Sequence, residues 1–203
     1  GDHRDLHSFP TRRSSDLTEM MSYGIVQLIN TENIDVTVDL HEASPEYPVI
    51  NALIAHERAM NLASNVVVDM QMEGVQISLE PSPTDLRGLT HRELGDHTDT
   101  LALLMEAPNP AQGRLRDRTD EALVLTGKSE TYVKAGEIGQ LYVPYDENGW
   151  PIEVRCARHV FGIERILANY SEMYEEPIIV TGMPSYDELV KNGMGPYLNE
   201  PTT

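Results

Sequence analysis

Residues 34–43 read IDVTVDLHEA, and this stretch decides how the fold is assigned. Apolar and polar side chains alternate over residues 34–40, which is the period-two pattern of a β-strand. The strand leads directly into His41. Ligands bind at the carboxyl ends of strands in open α/β sheets, and a neutral imidazole can hold a metal ion. The pattern therefore predicts that His41 lies at a ligand site.

Residues 1–17 read GDHRDLHSFPTRRSSDL and resemble the translation of a sequencing-adapter oligonucleotide. The segment mixes charges, contains a proline and has no periodicity. We therefore expect it to be non-native and disordered, and we assign the folded domain to residues 18–203. We also expect native sequence, with any targeting signal, to be missing upstream of about Thr18.

Composition limits the classes of partner. The chain has 203 residues and a net charge of −18, and its length is enough for one domain with its own core. A strongly acidic surface repels nucleic acid and anionic membranes. No apolar run approaches the roughly 18 residues of a membrane helix. The single cysteine, Cys156, excludes an internal disulfide and fits a reducing compartment such as the cytoplasm.

The remaining patterns predict an α/β fold whose mixed, mostly parallel sheet is flanked by helices. Strands are predicted at three places: residues 34–40, 75–79 and 100–105. Helices are predicted at four places: residues 49–70, 119–138, 154–174 and 185–191. Residues 24–30 fit either a strand or a helix. Residues 82–99 are unusually polar and are predicted to form a loop.

Two polar residues at strand ends form the candidate site. Glu106 follows a continuous apolar run and precedes Pro108, an unusual place for a merely solvated acid. Neighbouring strands lie about 4.8 Å apart, so His41 and Glu106 can meet in one crevice. A metal-activated water beside a carboxylate is a common means of hydrolysing an amide. A structural histidine and a turn carboxylate remain the alternative interpretations.

Two segments, in this order, resemble the zinc carboxypeptidase superfamily, and in particular its aspartoacylase and succinylglutamate desuccinylase branch. Residues 39–47, DLHEASPEY, resemble the strand end that carries the last zinc ligand of that branch. Residues 103–113, LLMEAPNPAQG, resemble its catalytic glutamate strand. The resemblance implies one Zn²⁺ ion and hydrolysis of an amide bond next to a carboxylate, in a small peptide or an N-acyl amino acid. It implies that His41 is a zinc ligand and that Glu106 is the catalytic general base.

The chain departs from that family in one respect. The first two zinc ligands of the family lie in an upstream His-x-x-Glu motif, and none of the seven histidines begins such a motif. A catalytic zinc ion needs about three protein ligands. We therefore expect this chain to be the inactive C-terminal part of a hydrolase that is incomplete at its N-terminus. The alternative is a non-catalytic acidic domain that binds a ligand or partner in the same crevice.

Three further residues are candidates for supporting roles. Asp39 lies two residues before His41, on the same side of the strand, and could orient the imidazole. His91 and Arg92 lie in a stretch that resembles the substrate-facing wall of the family, and they could bind a substrate carboxylate. A charged surface loop is an equally open interpretation of these two residues.

Overall fold

The computed structural model describes residues 10–116 and 120–198 of the chain. Four described strands form one sheet: β1 (Val36–Ala43), β2 (Ala52–Ala55), β3 (Ser78–Pro81) and β4 (Leu101–Pro108). The α-helices of these residues are α1 (Pro10–Glu32), α2 (Met60–Met72), α3 (Thr90–His97), α4 (Glu121–Thr126), α5 (Glu130–Glu137), α6 (Ile152–Tyr174) and α7 (Tyr186–Asn192).

The sheet has the strand order β1-β4-β2-β3. β1 and β4 are parallel, β2 and β3 are parallel, and β4 and β2 are antiparallel. This arrangement confirms the predicted α/β class with a mixed, mostly parallel sheet flanked by helices.

The two faces of the sheet have different environments, because successive side chains of a strand point to opposite sides. On one face, Leu103 and Met105 belong to the main core, which α2 and α6 cover. On the other face, Leu104 and Glu106 of β4 lie on the same side as α3 and a pocket that opens to solvent. The second face carries the candidate site.

The prediction of a helix over residues 49–70 is wrong in its first part. Residues 52–55 form β2, a short 3-10 helix follows at Glu57–Ala59, and α2 begins only at Met60. All four residues of β2 are buried between β4 and β3. A short, fully buried apolar run gives no alternation, so its pattern does not distinguish a strand from a buried helix.

Two other predictions also need correction. Residues 82–99 contain α3. Arg92 of this helix is buried and ion-paired with Glu57 and Asp96, so its charge does not mark a solvent-exposed loop. The helix predicted over 119–138 is two helices, α4 and α5; Thr119 itself lies outside the described residues. Gly127 ends α4 in the left-handed conformation at φ 59°, which glycine adopts most readily.

The first helix extends further back than expected. Residues 24–30 are helical, and α1 begins at Pro10, inside the segment that we expected to be disordered. The helix thus includes residues 10–17, whereas residues 1–9 lie outside the described part. Extending an existing helix costs far less than nucleating one, which allows α1 to begin before Thr18.

Candidate functional site

His41 and Glu106 lie directly opposite each other on the parallel strands β1 and β4. His41 Nδ1 lies 3.6 Å from Glu106 Oε1. The His41 side chain is 47% exposed and that of Glu106 is 11% exposed. His41 lies within the strand, which continues to Ala43, and is not the residue after its end. The structure therefore brings the two predicted residues together on one face of the sheet.

Asp39 approaches the other nitrogen of the same ring. Its Oδ2 lies 3.3 Å from His41 Nε2, because residues two apart in a strand share a face. A carboxylate accepts a hydrogen bond only from a protonated ring nitrogen. Asp39 can therefore hold the proton on Nε2, which leaves the lone pair of Nδ1 on the side of Glu106.

A pocket of about 350 Å³ opens beside this pair of residues. The sheet supplies its floor through Ile54 and Leu104, and the segment that leads into α3 supplies its wall through Leu86 and Leu89. Both His41 and Glu106 line it. A concave, mostly apolar site with a few polar groups is the usual form of a small-molecule binding site.

Burial raises the pKa of Glu106, while the neighbouring His41 opposes the shift. The carboxylates of Asp39 and Glu42 raise the pKa further. The Oε2 atom of Glu106 is buried and has no hydrogen-bond partner within the described residues. Glu106 is therefore a carboxyl group that accepts a proton more readily than an exposed glutamate.

His91 lines the same pocket and is only 4% exposed. Burial, and then the charge of Arg92, lower the pKa of His91, so its ring is neutral near pH 7. Neither ring nitrogen has a hydrogen-bond partner in the described part of the protein. A buried polar group without a hydrogen-bond partner lowers stability by about 1–3 kcal/mol. A hydrogen bond from a bound ligand would therefore stabilise His91.

Arg92 points elsewhere, although it follows His91 directly. It donates five hydrogen bonds to protein oxygens: two to Glu57, one to Asp96 and two to Ser82. A guanidinium group has five N–H donors, so none is left for a substrate. Arg92 is 3% exposed and does not line the pocket. The structure therefore argues against the predicted substrate-binding role of Arg92 and gives it a structural one.

Sequence reasoning missed two residues near the site. Glu80 of β3 lines the pocket. The strand predicted over residues 75–79 ends one residue before Glu80, so extending it by one residue would have included Glu80. His159 of α6 lies near His41: burial lowers the pKa of His159, and the backbone of His41 opposes this shift. Helical periodicity alone does not show which face of α6 meets β1.

A catalytic zinc ion does not fit the described residues alone. No group of three His, Cys, Asp or Glu side chains that could hold a metal ion occurs within residues 10–116 and 120–198. His41 is suited to be one ligand, but three are needed. Any metal at this site therefore requires ligands that these residues do not supply.

Comparisons of the chain with protein-family models, with curated proteins and with solved structures found no match. None of the helices in the described ranges has the length and hydropathy needed to cross a bilayer.

Proposed function

We propose that this chain carries the C-terminal part of the active site of a zinc-dependent hydrolase that cleaves an amide bond next to a carboxylate. The observation that carries the proposal is the 3.6 Å approach of His41 Nδ1 to Glu106 Oε1 across two parallel strands. The two sequence motifs that resemble zinc carboxypeptidases thus meet in space at the residues to which the resemblance assigns the chemistry.

In this proposal Glu106 is the general base. It takes a proton from the attacking water and can return it to the leaving nitrogen. Its partial burial and raised pKa suit that role, because proton transfer is most efficient when the pKa of the base is near the working pH. The unpartnered Oε2 atom is a free acceptor for that proton.

His41 would hold the metal through Nδ1, while Asp39 orients the ring through Nε2. Zinc, when bound, would lower the pKa of a water molecule to about 7. The other ligands come from outside the described residues, as in the His-x-x-Glu motif of the resembling family. The chain alone is therefore expected to be inactive. The substrate is a small peptide or an N-acyl amino acid.

The test uses a longer protein from the intact reading frame. We expect a His-x-x-Glu motif upstream of this chain, about one equivalent of bound zinc, and amide hydrolysis. Glu106→Gln should reduce kcat by roughly 10²–10⁴-fold without loss of zinc. Glu147→Gln, an exposed acid in the turn before α6, is the matched control.

Asp39→Asn in the same longer protein should weaken zinc affinity by roughly 10–100-fold, because the ring loses the carboxylate that orients it. Competition with a chelator measures the affinity. Full activity in Glu106→Gln, or an intact gene without further zinc ligands, would contradict the hydrolase proposal.

A second candidate is a non-catalytic domain that binds a small ligand in the same pocket. The lack of three metal-binding side chains among the described residues favours it, as does the unpaired His91 in the pocket. A zinc-free longer protein that binds small amides without cleaving them would support this candidate.

A further inference from the structure

The pocket beside Glu106 has walls that are mostly apolar. Its lining residues include five aliphatic side chains from three parts of the chain: Val49, Ile54, Leu86, Leu89 and Leu104. Ile54 and Leu104 are 5% and 3% exposed and belong to a small core cluster under the pocket floor. This floor is part of the sheet and does not need to move to receive a ligand. Burying an aliphatic group against it is favourable by about 25 cal/mol per Å² of apolar surface.

The charges in the pocket are all of one sign. Glu80 and Glu106 both line it, and no arginine or lysine is among its lining residues. Glu80 forms no ion pair within residues 10–116 and 120–198. Arg92, the nearest cation along the chain from His91, is fully engaged with protein oxygens. In the metal-free chain, a carboxylate placed in this pocket would be repelled and would find no arginine or lysine to pair with.

The pairing of the strands explains how Glu80 comes to line this pocket. Glu80 pairs with Ile54, Ile54 pairs with Leu104, and Leu104 pairs with Asp39. Paired residues share a face of the sheet, so this row crosses all four strands below the pocket. Next to Glu106 in the following row stands Ala52, whose small side chain leaves room for a ligand.

His91 adds one neutral polar contact. As a neutral imidazole it has one donor and one acceptor, and both lack partners in the described structure. An amide or hydroxyl group can satisfy both, whereas a carboxylate can only accept. The chemistry of the pocket thus matches an uncharged, mainly apolar group that carries a neighbouring amide.

We propose that this pocket selects substrates whose group beside the scissile amide is apolar and uncharged, and that it rejects an acidic group there. The inference rests on the proposed function and specifies its substrate class. The carboxylate next to the scissile bond is then held outside this pocket, by residues other than those that line it.

The test measures binding of three amides to the 203-residue chain by calorimetry at pH 7. The probes are N-acetyl-leucine amide, N-acetyl-asparagine amide and N-acetyl-aspartic acid amide. They share one backbone and differ in a side chain that is apolar, neutral and polar, or acidic. We expect the leucine probe to bind best and the aspartic acid probe to bind at least about tenfold more weakly. The inference is overturned if the acidic probe binds as well as the leucine probe, or if no probe binds.

Two variants locate the selectivity. Glu80→Gln should improve the affinity for the acidic probe by about three- to tenfold and leave the leucine probe unchanged, because it removes one repelling charge. Glu147→Gln makes the same change far from the pocket and should alter neither affinity. His91→Phe should weaken the affinity for the leucine probe by about three- to tenfold, because it removes the ring nitrogens that can form hydrogen bonds with the probe. Unchanged affinities in both pocket variants would contradict the proposed site.

These measurements need neither zinc nor turnover. A failure here removes the assigned substrate class and leaves the hydrolase proposal standing or falling on zinc binding and on Glu106→Gln in the longer protein. Conversely, selective binding with no hydrolysis in the longer protein would support the proposed selectivity of the pocket and contradict the proposed hydrolase activity.

Discussion

The ion pair between Glu42 and Arg155 gives the sharpest prediction about stability. Glu42 lies on the face of β1 opposite His41, and its Oε1 accepts a hydrogen bond of 2.7 Å from Arg155 Nε of α6. The Arg155 side chain is 2% exposed, and that of Glu42 is 28% exposed. The other Arg155 donors are directed at backbone carbonyl groups of Trp150 and Val124. Glu42 is thus the carboxylate that neutralises a buried guanidinium.

Glu42→Ala should lower the free energy of unfolding by about 3 kcal/mol. Removing one partner of a buried pair costs about 3–5 kcal/mol, since an uncompensated charge is left inside, and the partial exposure of Glu42 favours the lower end. For a domain of this size the loss corresponds to a fall in Tm of roughly 6–12 °C. Urea unfolding followed by circular dichroism measures the loss at constant pH.

A double mutant tests the cause. Adding Arg155→Met to Glu42→Ala removes the orphaned charge, so the double variant should be more stable than Glu42→Ala alone, with a coupling energy of about 2 kcal/mol. Glu147→Ala removes an equal charge from an exposed turn and should change stability by less than about 0.5 kcal/mol. A loss in Glu42→Ala no larger than that of Glu147→Ala, or a double variant that merely adds both losses, would refute the assigned role.

Two further substitutions test the ion-pair network of α3 and the end of α4. A hydrogen bond from Arg87 lowers the pKa of Asp96 from 3.8 to about 2. The contribution of the ionised Asp96 to folding stability is therefore present above pH 3.8 and lost as the pH falls toward 2. Asp96→Asn should therefore flatten the dependence of Tm on pH between about pH 4 and pH 2, and an unchanged slope would contradict this. Gly127→Ala should cost at least about 2 kcal/mol in urea unfolding, because the left-handed conformation is strained for alanine. Its Cβ would also clash with the Trp150 carbonyl oxygen. Gly139→Ala, at φ 71° with open space around it, should show the smaller, purely conformational cost; equal losses would disprove the clash.

The parallel pair of strands, β1 and β4, was the part of the fold that the sequence predicted best. Alternation over residues 34–40 and a continuous apolar run over 100–105 are patterns within one segment, and they also fix which residues share a face. Asp39 and His41 were expected on one side, and the structure places them there with 3.3 Å between the side chains. Helix α6 was equally clear, because its apolar period extends over many turns.

Strand β2 and helix α3 could not be predicted in the same way. Residues 52–55 are a strand because they pair with β4 on one side and β3 on the other, and this long-range pairing leaves no period in four buried residues. Arg92 made residues 82–99 look solvent-exposed, yet its charge is paired inside the protein with Glu57 and Asp96. An argument from composition alone assigns such charged residues to the protein surface, even where they are buried and paired with each other.

The residues of the proposed chemistry lie on strands with local sequence patterns, whereas those of the proposed specificity lie on strands that depend on long-range pairing. His41 and Glu106 lie on β1 and β4, which pair in parallel. The apolar pattern that predicts each of these strands lies within a single segment of the sequence. Ile54 and Glu80 come from β2 and β3, which join the sheet through the antiparallel contact of β2 with β4. Because a shift of one residue in that contact would turn Ile54 and Glu80 to the opposite face, the register of β2 decides what the pocket can bind. Substitutions in β2 and β3 can therefore change the selected side chain while the approach of His41 to Glu106 is kept by β1 and β4.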